Sequence, residues 1–463
     1  MPAAGRSINV REFIDARAVS PFQWLVGCLT FVVISLDGWD TVIIGFVVPE
    51  LIKEWGVTKH ALAPVLSAAL FGLAAGALLG GPIADRFGRK RVLVASVSII
   101  GVGTLATAHA TSLGMMLPIR FVTGLGLGAV MPNVVTLWSE YVPERRRSFL
   151  VTVVYSGFTV GAALCGFIAA WIIPAYGWRT MLTVGGALAV ACVPVLMLWL
   201  PESVAFLTIQ GKRPERITAI LSAIGRIRVP ADTHFFLPAQ PRVKGGAIGT
   251  ILSARYLAGT ALIWLCYFVG LFVLYLLYNW LPTMAKDAGY TSAQGAILVG
   301  FLNWGGTLGS IAIGWLMDRF DRYRIIATSF CLAAVSLWAV HGMQSTFWAL
   351  QVLAFAWGWF VPGTNTGMNA LTARFYPTVA RSTGLSWMHA FGRLGAIGSA
   401  FAGAAILSAG LGLGQILPIM AVAPLTGAVA VLVIAGLVKR RALTDESVTA
   451  AVPEVAEVLP NTR

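Results

Sequence analysis

Along its length the chain alternates long apolar runs with short polar breaks, and twelve runs stand out. They fall near residues 22–48, 60–82, 92–110, 114–138, 149–173, 178–200, 256–281, 293–316, 325–343, 347–372, 382–409 and 413–438. A bilayer core about 30 Å thick takes roughly 20 apolar residues as a helix, which is the scale of these runs. None shows the apolar–polar alternation of a membrane-barrel strand. Backbone that cannot reach water must then satisfy its own hydrogen bonds as helix. The pattern predicts an all-α membrane protein with twelve transmembrane helices, numbered here span 1 to span 12.

Composition agrees with the pattern. Of 463 residues 57% are hydrophobic and only 11% charged, with a mean hydropathy of +0.80. Soluble domains carry about 25% charged residues, so this chain has too few to cover a water-facing surface. The 33 Lys and Arg against 19 Asp and Glu leave a net charge of +14. In a soluble protein such a balance suggests nucleic acid; here its placement matters more. Of the 33, 27 lie in the termini and in loops 2–3, 4–5, 6–7, 8–9 and 10–11, while the other set of loops holds Lys53, Lys59, Arg179 and Lys286. Cytoplasmic loops carry the excess of Lys and Arg, which predicts both termini in the cytoplasm and requires no nucleic-acid partner. Lys439, Arg440 and Arg441 could also touch anionic lipid.

The first apolar run starts late and lacks a small-residue cleavage site, so it is expected to remain as a span. Ahead of it, Val10, Phe13 and Ile14 share one side of a segment, Ile8 to Asp15, that could form a short interfacial helix. Cys28, Cys165, Cys192, Cys266 and Cys331 all sit in spans and read as small hydrophobes, with no disulfide or metal site expected.

The polar segments divide the array in two. A cytoplasmic segment 1–21 precedes a six-helix half 22–207; a basic linker 208–255 leads to a second half 256–438 and a tail 439–463. The halves echo each other. Gly81-Pro-Ile-Ala-Asp85-Arg-Phe-Gly-Arg-Lys90 after span 2 recurs as Gly314-Trp-Leu-Met-Asp318-Arg-Phe-Asp-Arg after span 8, and Pro143-Glu-Arg-Arg-Arg-Ser148 recurs as Pro377-Thr-Val-Ala-Arg-Ser382. The offsets are 233 and 234 residues. Two pseudo-symmetric six-helix halves are the architecture of a secondary transporter that binds its substrate at the repeat interface near the midplane.

The loop Gly81 to Lys90, the run Arg120-Phe-Val-Thr-Gly124-Leu-Gly-Leu-Gly128 and Pro143 to Arg147 resemble the major facilitator superfamily. More narrowly, Asp37-Gly-Trp-Asp40, Ser139-Glu-Tyr, Pro201-Glu-Ser-Val-Ala-Phe-Leu207, Ala373-Arg-Phe-Tyr-Pro-Thr378 and Gly392-Arg393-Leu-Gly resemble its aromatic acid:proton symporters, over essentially the whole chain. The resemblance implies the major facilitator fold and proton-coupled uptake of an aromatic carboxylate such as 4-hydroxybenzoate, protocatechuate or a related benzoate. It also implies a monomeric carrier of the cell inner membrane, with no enzymatic activity and no cofactor.

A charge at mid-bilayer costs about 2.5–3.5 kcal/mol even on the lenient insertion scale. Four residues face that cost: Asp37 and Asp40 in span 1, Arg120 in span 4 and Arg393 in span 11. The aspartates share a helix face, and two close carboxylates in a low dielectric cannot both ionise cheaply. One could therefore bind and release the coupling proton, and the resemblance implies that the acidic pair is needed for transport. The alternative is that one or both only neutralise Arg120. Arg393 has no acid in the second-half spans to pair with, so a substrate carboxylate is its natural counter-charge, held bidentately; a bond to helix carbonyls or to Asp37 and Asp40 is the alternative. His389, one turn earlier, is a proton relay or a packed histidine. Arg120, Asn133, Tyr155, Tyr275, Asn303, Asn365 and Asn369 complete the expected binding set. For the amides, bonding between helices is an equally ready explanation. Tyr267, Leu271 and Tyr278 share the Tyr275 face, and Trp357, Trp359 and Phe360 offer further ring contacts.

By resemblance, the loop with Asp85, Arg86 and Arg89 closes the cytoplasmic side, and Asp318 and Arg319 repeat it without the glycine. Glu140 and Arg374 occupy equivalent places in the repeat, as the basic Arg381 loop matches Pro143 to Arg147. Glu140 is expected to pair with a base of the 85–91 loop and Arg374 with Asp318, unless these are ordinary interfacial charges. A proton-coupled exporter is the main alternative; exporters typically carry a Gly-Pro pair in span 5, and Gly157 to Gly166 has none. Sugar uptake fits poorly because the central spans are apolar. No metal cluster, nucleophile elbow or phosphate loop points to an enzyme.

Overall fold

A computed structural model describes residues 7–211, 214–227, 229–230, 233–237, 247–343, 345–377 and 380–451, with side chains as far as residue 440 apart from that of residue 247. The first six spans are Pro21–Trp55, Lys59–Phe87, Arg89–Ala108, Leu113–Tyr141, Glu144–Tyr176 and Trp178–Trp199. The second six are Leu257–Asp287, Ser292–Arg319, Arg322–Met343, Phe347–Phe375, Arg381–Ser408 and Leu413–Arg440. Eleven are long and apolar enough to cross a membrane. The twelfth, span 10, has 29 residues but dilutes its hydropathy with Trp348, Gln351, Trp357, Trp359, Asn365 and Asn369.

Local chemistry sets the ends. Ser20 and Gln23 form a reciprocal capping box with Pro21 at the first helical position of span 1, and Thr291 and Gln294 do the same for span 8. Between spans 2 and 3 the chain turns on Gly88 at φ 99°, a conformation that favours glycine. The second-half copy turns without glycine: Phe320 is extended, and Asp321 caps span 9 by accepting the Arg324 N–H at 2.8 Å.

Helices in lipid gain nothing from hiding apolar surface from lipid, so close packing must hold them together. Glycines provide it at repeat-related places. A Cβ on Gly72, Gly76 or Gly124 would lie 2.1 or 2.2 Å from a backbone oxygen across the span 2–span 4 contact. Gly305, Gly309 and Gly358 do the same between spans 8 and 10, at 2.0, 2.2 and 1.7 Å. Gly161 meets Ser35 of span 1, and its counterpart Gly395 meets Phe268 of span 7. Each pair is displaced by the same 233 or 234 residues as the loop motifs. Gly314, also in span 8, has nothing within 4 Å. Gly358→Ala is therefore expected to lower the melting temperature of the detergent-purified protein, since overpacking costs about 1–3 kcal/mol, while Gly314→Ala leaves it unchanged or raises it slightly. Equal melting of the two variants would refute the packing role.

The halves meet across spans 1 and 7, 2 and 11, and 5 and 8. Gly45 of span 1 lies against the Tyr278 backbone, and Gly166 of span 5 against Ala296 and Gly300 of span 8. We call the end carrying the basic loops the basic end, and the other the far end. At the far end Lys286 donates to Glu50 at 2.9 Å and to the Pro49 carbonyl at 3.2 Å, Ser292 donates to Glu50 at 2.6 Å, and Lys59 pairs with Asp287 at 2.6 Å. These bonds join the first half to the second.

At the basic end the N-terminal segment differs from the interfacial helix expected for it. Ser7–Asn9 is a short strand, paired in parallel with His234–Phe236 of the linker. The helix Val10–Asp15 buries Val10, Phe13 and Ile14 in the protein, against the amphipathic linker helix Pro214–Gly225 and the base of the first half. Arg11 fastens it by donating to the Ser139 and Val142 carbonyls, both at 3.3 Å, and to Glu144 at 3.2 Å.

Candidate functional site

Between the halves, spans 1, 2, 4, 5, 7, 8, 10 and 11 enclose a cavity of about 160 Å³. A dry cavity of about 150 Å³ admits benzene, so this one is sized for a single aromatic ring. Its lining extends toward the basic end through Met131, Thr152 and Asn369. The bonds between Glu50, Lys286 and Ser292 close the far end.

Asp37 and Arg393 face each other across this space. Both line the cavity, and the charge of Arg393 acts on Asp37, yet no ion pair joins them. Asp37 is 3% exposed, and its Oδ1 has no hydrogen-bond partner. Tyr275 faces the guanidinium of Arg393, with Tyr155 beside it. His389 packs its ring on the edge of Tyr267 at 4.8 Å between centroids, and Tyr267 faces Asn369. Asn365 is 6% exposed, lines the same cavity, and leaves both amide atoms unpartnered. Seven of the residues expected from sequence thus converge: Asp37, Tyr155, Tyr275, Asn365, Asn369, His389 and Arg393.

The others lie elsewhere. Asp40 is turned from the cavity and bonded to Arg120 at 3.1 Å, both side chains being almost fully buried, and it also accepts the Thr104 hydroxyl. A three-residue step leaves the two side chains about 60° apart around span 1, so Arg120 and Thr104 hold the Asp40 carboxylate within the first half while Asp37 stays at the cavity. Arg120 is therefore committed to Asp40 and is no lining residue. Asn133 donates to the Ala129 and Gly80 carbonyls at 2.8 and 3.3 Å, tying span 4 to span 2. Asn303 accepts the Tyr278 hydroxyl at 2.8 Å and donates to the Val299 carbonyl at 2.9 Å. For these two amides helix bonding explains the burial.

The charges expected to gate are also rearranged. Glu140 accepts from the Ser203 hydroxyl, and Arg89 of the 85–91 loop is close enough to act on its charge without forming an ion pair with it. Glu202, its neighbour, caps span 3 by accepting the Lys90 N–H at 3.1 Å, and its carbonyl accepts the Tyr141 hydroxyl at 2.7 Å. Arg89 pairs with Asp85 at 2.8 Å, while Arg86 lies near the Phe87 ring. All these contacts stay within the first half, so they brace it and do not latch it to the second. Arg319 stacks over Trp315 at 4.1 Å. Among the described residues, Arg374 and Asp318 make no ion pair with one another, and Arg381 only begins span 11.

Sequence reasoning missed Thr159 and Thr307, whose hydroxyls meet at 2.6 Å across the halves in the cavity wall, and the Thr366–Ser310 bond at 3.1 Å. Buried Ser and Thr usually bond their own helix carbonyls, so type alone carried no signal. Lys286 and Glu50 were visible as charges but not as a pair.

The chain matches the Major Facilitator Superfamily over residues 30–306 and again over 263–460. It is 42% identical over 439 residues to the 4-hydroxybenzoate transporter PcaK of Pseudomonas aeruginosa, covering 95% of this chain and 98% of that one. It is 38% identical to the gallate transporter of Pseudomonas putida, covering 93% and 96%, and 33% identical to the benzoate transport protein of Acinetobacter baylyi, covering 85% of each. Among solved structures, a D-xylose-proton symporter superposes with a TM-score of 0.67 at 17% identity, over 89% of this chain and 97% of that one. With two six-helix halves, a central cavity and family matches over both halves, the chain belongs to the Major Facilitator Superfamily.

Proposed function

We propose that the protein takes up an aromatic carboxylate together with protons by alternating access, as a monomer in the inner membrane with both termini cytoplasmic. One observation carries the reading: a ring-sized cavity between the halves sets Arg393, ringed by tyrosines, opposite Asp37, a buried carboxylate whose Oδ1 has no hydrogen-bond partner. The cation supplies a planar fork for a carboxylate, and tyrosine rings supply edges and faces for an aromatic ring. Asp37 is the group that takes and releases the proton. Asp40, bound to Arg120, holds span 1 in place. The basic end is then the cytoplasmic one, and closure at the far end makes this the inward-facing state.

Names of relatives support the substrate class, since three of them are transporters of 4-hydroxybenzoate, gallate and benzoate. The test is uptake of labelled 4-hydroxybenzoate into proteoliposomes with and without an acid-outside gradient, protein-free liposomes correcting for passive entry of the neutral acid. Uptake equal to that of empty liposomes, for this and related acids, would overturn the proposal.

Span 7 also works as a ruler for the ring. Arg393 lies at the level of Tyr275, and Asn365 packs beside Gly270. Five residues of helix separate these levels by about 7.5 Å, close to the length of a para-substituted benzoate. With the carboxylate on Arg393, the free amide of Asn365 meets the ring hydroxyl. Asn365→Ala is expected to weaken 4-hydroxybenzoate uptake about 3–10-fold, one neutral hydrogen bond's worth, and to leave benzoate uptake nearly unchanged. An equal loss for both acids would remove Asn365 from this role.

A further inference from the structure

A second recess, outside the transport path, lies at the basic end of the first half. It has about 680 Å³ of space and is lined by the ends of spans 1, 2, 3 and 6 together with the linker helix Pro214–Gly225. Four cations reach it: Arg86, Lys90, Arg91 and Arg216. Its one carboxylate, Glu202, is already committed to the Lys90 and Ser203 N–H groups at 3.1 and 2.9 Å. Lys90 spends its ammonium on the Met197 carbonyl at 2.7 Å. Arg86, Arg91 and Arg216 have no carboxylate partner among the described residues.

The walls are apolar and open toward lipid. Phe87, Leu198 and Trp199 line the recess and are 49%, 76% and 58% exposed, and Leu198 and Trp199 both belong to the last turn of span 6. Three unpaired guanidiniums beside exposed apolar surface at a helix end combine the two halves of a phospholipid's chemistry: an anionic phosphate and acyl chains. The orientation rule explains why basic residues lie on this side. It does not explain why three of them, one from the linker, converge on a single apolar-walled recess.

We propose that this recess binds the phosphate headgroup of an anionic phospholipid, with Arg86, Arg91 and Arg216 as its cationic contacts. The acyl chains lie along Leu198 and Trp199. Because Arg216 belongs to the linker helix and Arg86 and Arg91 to the last turn of span 2 and the first turn of span 3, one headgroup ties the linker helix to the first half.

The test is native mass spectrometry of the full chain in detergent, with diphosphatidylglycerol, phosphatidylethanolamine or inorganic phosphate added. The wild type is compared with Arg91→Gln/Arg216→Gln and, as a control of equal charge, Arg322→Gln/Arg324→Gln. Melting temperatures of all three establish folding. We expect the wild type and the control to retain one diphosphatidylglycerol and to lose phosphatidylethanolamine readily. The recess variant should bind diphosphatidylglycerol at least about tenfold more weakly. Equal retention by both variants would overturn the proposal, as would retention regardless of headgroup. Displacement of the lipid by millimolar phosphate would show a soluble-phosphate site and overturn the lipid assignment.

Discussion

Proteoliposomes carrying Asp37→Asn are expected to accumulate no more 4-hydroxybenzoate with an acid-outside gradient than without one, whereas the wild type should concentrate it. One proton carried with one monoanion is electroneutral, so a gradient of one pH unit sets a ceiling of about tenfold accumulation. Asparagine keeps the shape of a protonated aspartate and cannot release the proton, so the ceiling falls to equality. Exchange of labelled for unlabelled substrate, which needs no net proton movement, is expected to survive. Loss of exchange as well would show that Asp37 is needed for binding or folding and not for coupling. Undiminished accumulation would eliminate Asp37 as the coupling group. Asp40→Asn should behave differently, because it removes one partner of a buried ion pair with Arg120. Breaking such a pair costs about 3–5 kcal/mol, so its signature is a lower melting temperature and less protein. Two aspartates three residues apart are thus predicted to fail in different assays.

Arg393→Gln is expected to weaken substrate binding by about 2–5 kcal/mol, the usual effect of truncating one side of a desolvated charge pair. In uptake this appears as a half-saturating concentration raised at least about thirty-fold. Arg393→Lys keeps the charge but loses the planar fork, and should fall between the wild type and Arg393→Gln. If both variants bind a benzoate as tightly as the wild type, in calorimetry or equilibrium dialysis, the carboxylate does not sit on Arg393. Tyr275 faces the same guanidinium, so its removal offers a second, smaller perturbation at that level of the cavity.

Much of this was legible in the chain, because a bilayer restricts what a sequence can do. Apolar runs of about 20 residues have one solution in lipid, so twelve helices, their polar ends and the six-plus-six division follow from pattern alone. The repeat was legible in the Asp85 and Asp318 loops, and the structure finds the same displacement in Gly72, Gly76, Gly124 and Gly161. The cost of burial likewise marked Asp37, Asp40, Arg120 and Arg393 before any coordinates.

What those four charges do was decided by tertiary packing. Spacing placed Asp37 and Asp40 on one face, but only the approach of spans 3 and 4 gave Asp40 the Arg120 and Thr104 partners that remove it from the cavity. The same holds for the amides: Asn133 and Asn365 are alike in sequence, and one is consumed by the Gly80 and Ala129 carbonyls while the other is left bare in the cavity wall. Glu140 finds Ser203, and Lys286 finds Glu50, from segments 63 and 236 residues away. Sequence determined the helices, their order, their repeat and which buried charges needed an explanation, because those follow from local periodicity and solvation cost. Which charge is paired and which is free for a ligand depends on contacts between segments far apart in the chain, and only the folded arrangement of the helices supplies them.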